Sequence, residues 1–512
     1  MVSETAASEP DDGGRPIRFS STTGRWVLLA AILGSGLAGI DATVVNVALP
    51  AIGADLQTDF STLQWTVTSY TLTLAALILL GGSLSDRYGR RRIFVIGVIW
   101  FAVASLCCGL APSAEILIAA RALQGVGAAL LTPGSLAMIQ ATFHPDDRAR
   151  AIGAWSGLGG VATAIGPFLG GWLVQTVSWR WVFLINVPLA IAVVVVAQRH
   201  VPETRDTTSA GRLDLWGAGL GAAALAGITY ALIETPVRGL YSPAVLGAAL
   251  LGVVAAAAFV LVEARGRNPM LPLSIFSSRQ FSATNAVTFL VYGAFGGAFF
   301  LLVVHLQVVA GFSPLAAGTA MLPITVLMLL LSSRSGQLAT RIGPRLPMSV
   351  GPVLCAVALL LMLRIGPDAS YLTEVLPGVV VLGLGLSVLV APLTATALAS
   401  VDSRHAGLAS GVNNAVARAA ALIAVALLPA IAGLSGDSYT NPVAFNEGFR
   451  ISVLIAVGVL LVGAGLAAVT IRNNVLSGEG DTSAPVDDAL RHCAVDGPPI
   501  GMSTTQQREP RL

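Results

Sequence analysis

Gly82-Ser83-Leu84-Ser85-Asp86-Arg87-Tyr88-Gly89-Arg90-Arg91 is a polar interruption in a chain that is otherwise strongly apolar. Hydrophobic runs stand on both sides of it, so it reads as a loop between two helices, with glycines that permit a tight turn. The pattern returns as Gly336, Leu338, Arg341, Gly343 and Arg345, each 254 positions further on. A weaker echo, Glu115 with Thr132-Pro133 against Glu374 with Ala391-Pro392, repeats at a spacing of 259. Self-similarity at that distance implies two homologous halves. Only the first copy keeps an acid, because Thr340 stands where Asp86 would recur. Arginines that merely fixed orientation would not need it. We therefore expect an inner-gate latch built from Gly82, Asp86, Arg87, Gly89, Arg90 and Arg91, in which Asp86 pairs with Arg90.

Outward from the two copies, the composition sets the solvent. Of 512 residues, 55% are hydrophobic and 11% charged, and the mean hydropathy is +0.79. A water-soluble domain of that length and composition would aggregate, so the medium is a bilayer. Apolar runs long enough to span it lie at 26–49, 65–83, 93–111, 115–140, 150–176, 181–198, 214–234, 242–263, 282–309, 314–333, 347–365, 373–396, 406–434 and 449–471. Their length fits helices of about 20 residues rather than the short alternating segments of a barrel. The fold class is therefore all-α, with fourteen membrane helices. The repeat assigns six to residues 26–200 and six to 266–471, and leaves an inserted pair within 201–265. Residues 1–25 read as a cytoplasmic N-terminal segment without a secretory signal, and 472–512 as a disordered tail.

Arginine supplies all 29 basic residues. Most, including Arg87, Arg90, Arg148, Arg205, Arg265, Arg341 and Arg404, fall in alternate loops, whereas the opposite side holds only Arg180, Arg238, Arg364 and Arg450. The positive-inside rule then places both termini in the cytoplasm. The arginines are scattered, which gives no nucleic-acid surface. Cys107, Cys108, Cys355 and Cys493 show neither disulfide nor metal spacing. With no nucleophile constellation or phosphate loop either, an enzyme is not expected.

Charge within a span is costly and so points to function. Asp41 in the first helix and Arg121 in the fourth fall at comparable depth, so the two can meet. Gln124, three residues after Arg121, shares its face and can hold it. A carboxyl balanced between desolvation and a guanidinium is a proton-coupling site; a fixed structural pair is the alternative. In the fifth helix, Gly159, Gly166, Pro167, Gly170 and Gly171 read as a hinge and packing face. Asn46, Trp65, Tyr70, His305, Gln307, Asn413, Asn414 and Arg418 are candidates for a substrate path, although for any single one an interhelical hydrogen bond is the better explanation. His305, near the far end of its helix, is expected to be half-solvated.

These stretches resemble the major facilitator superfamily in its fourteen-helix drug:proton antiporter branch. Asp41 to Pro50 is similar to the branch's first-helix motif, Gly82 to Arg91 to the superfamily signature, Arg121 to Gly127 to the fourth-helix motif, Gly159 to Gly171 to the antiporter motif, and Ser178 to Pro188 to a stretch typical of fourteen-helix members. The second half matches more loosely, through Gln307, Ser313-Pro314, Gly318, Arg404, Gly407, Asn414 and Arg418. The resemblance implies an alternating-access exporter of drug-like, amphipathic or cationic small molecules in the inner membrane. A proton gradient would drive it in place of a cofactor, and its partners would be substrate, protons and lipid around a monomer. It leaves open an endogenous lipid or metabolite as cargo, and a sensor that binds without translocating.

Overall fold

The computed structural model describes residues 17–205, 213–266, 269–402, 406–436 and 440–476. Most of the expected N-terminal arm and tail, and Arg404, lie outside these residues. Among the described residues, fourteen helices are long and apolar enough to cross a membrane: α1 (Thr22–Leu56), α2 (Phe60–Tyr88), α3 (Arg90–Gly109), α4 (Ala114–Thr142), α5 (Pro145–Thr176), α6 (Trp181–His200), α7 (Leu215–Arg238), α8 (Pro243–Arg265), α9 (Arg279–Val308), α10 (Pro314–Ile342), α11 (Arg345–Met362), α12 (Tyr371–Ala399), α13 (Gly407–Ile431) and α14 (Pro442–Thr470). An even number of crossings returns the chain to the end where it began. We call that the terminal end, and its opposite the distal end.

Helices form because hydrocarbon offers the backbone no other partner. Their starts carry the expected chemistry: Asp59, Asp214, Ser278 and Ser313 accept N-terminal amides, and Pro243, Pro314 and Pro442 occupy the first turn. Two sequence boundaries need correction. α1 runs through Pro50 to Leu56 rather than stopping at 49, since hydropathy falls before helicity does. The stretch Gly82–Tyr88 is the last two turns of α2 and not a loop. The turn is made by Gly89 alone, whose φ of 109° suits glycine, and its counterpart Gly343 has φ 86°.

The repeat reaches beyond the motif. Glu203, just after α6, accepts the Arg91 and Arg92 amides at 3.1 Å each and so caps α3. Asn473, just after α14, accepts the Arg345 amide at 3.3 Å and occupies the same position at α11.

α1 to α6 pack on one another, as do α9 to α14. Small residues let backbones approach: Gly125 of α4 lies against the Tyr70 carbonyl of α2, and Thr73 Oγ1 donates to Ala122 O at 2.8 Å. The inserted α7 and α8 form a hairpin in which Gly227 and Gly252 touch, and α7 lies on both α2 and α13. The two halves meet chiefly towards the distal end. Gln64 Nε2 donates to Val425 O at 2.8 Å, Gln307 Nε2 to Val47 O at 3.1 Å, and the Phe60 ring packs on Phe300 and Phe445. α2 and α13 stay together further in, with Leu79 against Gly411. Towards the terminal end of α5, by contrast, a Cβ at Gly153, Gly157, Gly159 or Gly160 would meet nothing within 4 Å among the described residues. The molecule is thus sealed distally, while towards the terminal end α5 rests on α1, where Trp155 Nε1 donates to Ser35 Oγ at 3.0 Å.

Candidate functional site

The distal half of the first bundle encloses a polar cluster to which five helices contribute. α1 supplies Asp41, α4 supplies Arg121 and Gln124, α3 supplies Ser105, and α2 supplies Tyr70 and the Thr66 carbonyl. α6 breaks at Ile185, and the residue that restarts it, Asn186, turns its amide inwards. Arg121 Nη1 meets Asp41 Oδ2 at 2.5 Å, with side chains 1% and 0% exposed. The other carboxylate oxygen, Oδ1, accepts Gln124 Nε2 at 2.8 Å and Asn186 Nδ2 at 2.9 Å. Arg121 also donates to Gln124 Oε1 at 2.7 Å and, through Nε, to Thr66 O at 3.1 Å. Its guanidinium lies 4.3 Å from the centre of the Tyr70 ring, a cation–π contact. Ser105 Oγ accepts both amides, from Gln124 at 3.1 Å and Asn186 at 3.0 Å, and donates to Phe183 O at 2.9 Å.

Each named partner of Asp41 is a donor. Such a pocket fits a charged carboxylate, because a protonated carboxyl would have to turn one oxygen from acceptor to donor with no acceptor facing it. Breaking a buried pair by neutralising one member leaves the other charge uncompensated, at a cost of about 3–5 kcal/mol. Asn186 and Ser105 were not singled out in the sequence. The only trace of Asn186 is its place in the Ser178 to Pro188 stretch, and Ser105 leaves none, since a lone serine in a span serves packing equally well.

Asp86 and Arg90 do pair. Arg90 Nε and Nη2 lie 3.0 and 2.8 Å from Asp86 Oδ1, bridging the Gly89 turn from α2 to α3. Arg91 Nη1 reaches Val201 O at 3.0 Å. The hydrogen bonds of Asp86, Arg90 and Arg91 among the described residues stay within the first bundle, so in this arrangement they brace one half and do not join two. Gly82 lies within α2, and Arg87 stands over the Tyr88 ring.

The small-residue face of α5 divides. A Cβ at Gly166 would meet Thr43 Oγ1, and one at Gly170 would meet Val44, both on α1. One at Gly171 would lie 2.4 Å from Pro314 O, while Gly318 of α10 approaches Pro167 O so closely that its own Cβ would stand at 2.1 Å. Gly166, Pro167, Gly170 and Gly171 therefore join α5 both to its own half and to the other. Gly159 is not part of this packing: a Cβ there would meet nothing within 4 Å among the described residues, although α5 still lies on α1 at Trp155 and Ala162.

The path candidates scatter. Trp65 Nε1 donates to Glu234 of the inserted α7 at 3.1 Å, and Gln307 belongs to the distal seam. His305 is fully buried rather than half-solvated: its Nε2 lies 3.0 Å from Asn446 Oδ1, and its ring stacks on Phe449 of α14. Depth along a helix does not reveal which neighbour the side chain faces. Asn413 donates to Asn285 and Thr288 within the second bundle, and Asn414 to its own Ser410 carbonyl. Asn46 Oδ1 and Arg418 Nε are buried without a hydrogen bond among the described residues. Glu234, which also accepts Arg238 Nε at 2.6 Å, and the buried Glu263 are further acids in the spans, both at the ends of apolar runs.

Fourteen apolar helices, twelve of them in two bundles of which the first encloses a charged pair, define a multi-pass membrane transporter. The Major Facilitator Superfamily description matches residues 31–425, and the chain belongs to that family. It is 36% identical over 502 residues to a puromycin resistance protein of Streptomyces alboniger, which covers 94% of this chain and 99% of that one. It is 37% identical over 426 residues to a methylenomycin A resistance protein of Bacillus subtilis, covering 82% and 90%. A tetracenomycin C resistance and export protein of Streptomyces glaucescens is 34% identical over 415 residues, covering 81% and 77%. Among solved structures, a bacterial homologue of the human lysosomal transporter Spinster, inward-facing and occupied, has the same fold with a TM-score of 0.62 at 18% identity, covering 88% of this chain and 97% of that one.

Proposed function

We propose that this protein exports drug-like, amphipathic small molecules by alternating access, in exchange for protons, with both termini in the cytoplasm. The sealed Asp41–Arg121–Gln124–Asn186 cluster carries the proposal, because a buried acid held only by donors must reorganise when it takes a proton. The names of the relatives, resistance to puromycin and methylenomycin A and export of tetracenomycin C, support an antibiotic-like cargo. The arginines of the terminal-end loops support the orientation.

With the distal side as the outside, the arrangement described is closed outward with Asp41 charged. Cargo then enters from the cytoplasm. After reorientation, a proton from outside neutralises Asp41, and Arg121 keeps Gln124 Oε1 and Thr66 O as partners. Proton and cargo thus bias one two-state equilibrium in opposite senses, which is what coupling requires. Proteoliposomes loaded with a fluorescent cargo test this. Asp41→Asn is expected to abolish movement driven by a pH gradient while downhill exchange of cargo continues. Undiminished pH-driven movement in Asp41→Asn would remove the acid from the mechanism.

A further inference from the structure

Most charges set inside the spans are balanced. Asp41 faces Arg121 and Glu234 faces Arg238, while Glu263, at the end of its span, accepts the Leu271 amide through Oε2 and leaves Oε1 without a hydrogen-bond partner among the described residues. Arg418 is the cation left without a counter-charge in mid-span. It stands twelve residues into a 26-residue helix (Ala406–Ile431), about 18 Å from the helix start at 1.5 Å per residue. Its Nε is sealed from solvent and bonded to nothing, and the ionisable groups within electrostatic reach are two tyrosines, Tyr70 of α2 and Tyr292 of α9, with no acid among the described residues. It also lies at the junction of the halves. Ala415, one turn earlier, packs on the first bundle, and Val425, two turns later, accepts the Gln64 bond that seals the distal end. Tyr70 is the wall shared with the proton site, its ring under Arg121. A guanidinium at mid-membrane with no counter-charge is costly unless an anion arrives to meet it.

We propose that Arg418 docks an anionic group of the cargo, a carboxylate or an ionised phenol or enol on an apolar body. This deepens the exporter reading, on which it rests, by naming the cargo's charge. The planar fork of arginine donates two parallel hydrogen bonds to a carboxylate, and the Tyr292 hydroxyl offers a further donor, while the Tyr70 hydroxyl is held by Ala38 O at 3.5 Å. An anion leaving as a proton enters moves two charges per cycle, whereas a cation leaving as a proton enters moves none, so the proposal also makes transport sensitive to membrane potential.

The full chain in phosphatidylcholine nanodiscs is titrated with three matched probes: pyrenebutyrate, its neutral carboxamide and the corresponding pyrene butylammonium. Wild type is expected to bind the carboxylate about tenfold or more tighter than the amide, and Arg418→Gln to abolish that margin with amide binding unchanged. Arg418→Lys should keep only part of it. A margin that survives Arg418→Gln, or wild-type preference for the ammonium, overturns the proposal, and the second comparison needs no variant that folds. Adding phosphatidylglycerol should leave carboxylate binding unchanged; displacement by that lipid would assign Arg418 to a lipid headgroup and overturn the proposal as well. Arg418-dependent binding without pH-driven transport would uphold the anion site and refute the exporter reading. pH-driven transport of the ammonium alone would do the reverse.

Discussion

Gly318→Ala puts the two-state character of the molecule to a steric test. The added Cβ would stand 2.1 Å from the Pro167 carbonyl oxygen and 2.7 Å from its carbon, with Phe168 N at 3.4 Å. These are backbone atoms of the other half, which cannot swing aside like the end of a long side chain. To reach ordinary contact at 3.4 Å, α10 and α5 must part by over an ångström in the arrangement closed at the distal end. Overpacking of this kind costs about 1–3 kcal/mol. If the alternative arrangement separates the two helices, the whole cost falls on the closed one, and the equilibrium shifts about 5–150-fold towards distal opening. Spin labels on cysteines at Ala54→Cys and Arg364→Cys, one in each half at the distal end, report the separation by pulsed electron resonance. The expected result is growth of a longer distance population in Gly318→Ala. Gly159→Ala serves as the control, because its Cβ meets open space, and it should leave the distribution as in the parent. Identical distributions in Gly318→Ala and its parent would refute the reasoning.

Two further substitutions probe the cluster and its brace. Asn186→Ala removes a donor to Asp41 Oδ1 and another to Ser105 Oγ. A hydrogen bond to a charged group is worth about 1.5–3 kcal/mol, so pH-driven transport should fall by about tenfold or more while Asn186→Asp, which reverses the donor, should fall further; unaltered transport in both would make Asn186 a packing residue. Glu203→Gln keeps the size of the α3 cap but removes its charge at a helix N-terminus and turns one of its two accepting oxygens into a donor, and should lower the thermal stability of the purified protein by the equivalent of about 1–3 kcal/mol with cargo binding intact. Loss of binding at unchanged stability would instead place Glu203 in the transport path.

Charged residues in apolar runs are rare enough to be read directly, which is why Asp41 and Arg121 stand out in the sequence, and helical spacing adds Gln124 to them. What closes their cluster is uncharged. Asn186 and Ser105 gain meaning only when α6 and α3 are brought against α4, a tertiary fact that spacing within one helix does not contain. His305 and Trp65 show the same limit from the other side. Hydropathy fixes how deep each lies, but one turns to α14 and the other to the inserted α7 because of neighbours far away in the chain. Helix ends also blur. Glu234 and Glu263 sit where the apolar runs stop and read as borders, although both are buried in the folded chain. Gly82 was legible as part of a repeat but not as helix, since a glycine-rich polar stretch looks like a turn until the one residue with positive φ, Gly89, is known.

The claim on which the rest depends is that Asp41 gains a proton when the molecule opens distally and loses it when the molecule closes. Infrared difference spectroscopy of the purified protein, comparing the parent with the distally opened Gly318→Ala variant at one pH, measures this directly. A protonated-carboxyl stretch should grow on distal opening and be absent when Asp41→Asn is added to the same background. A carboxylate signature from Asp41 that is the same in both arrangements would contradict proton coupling at this site.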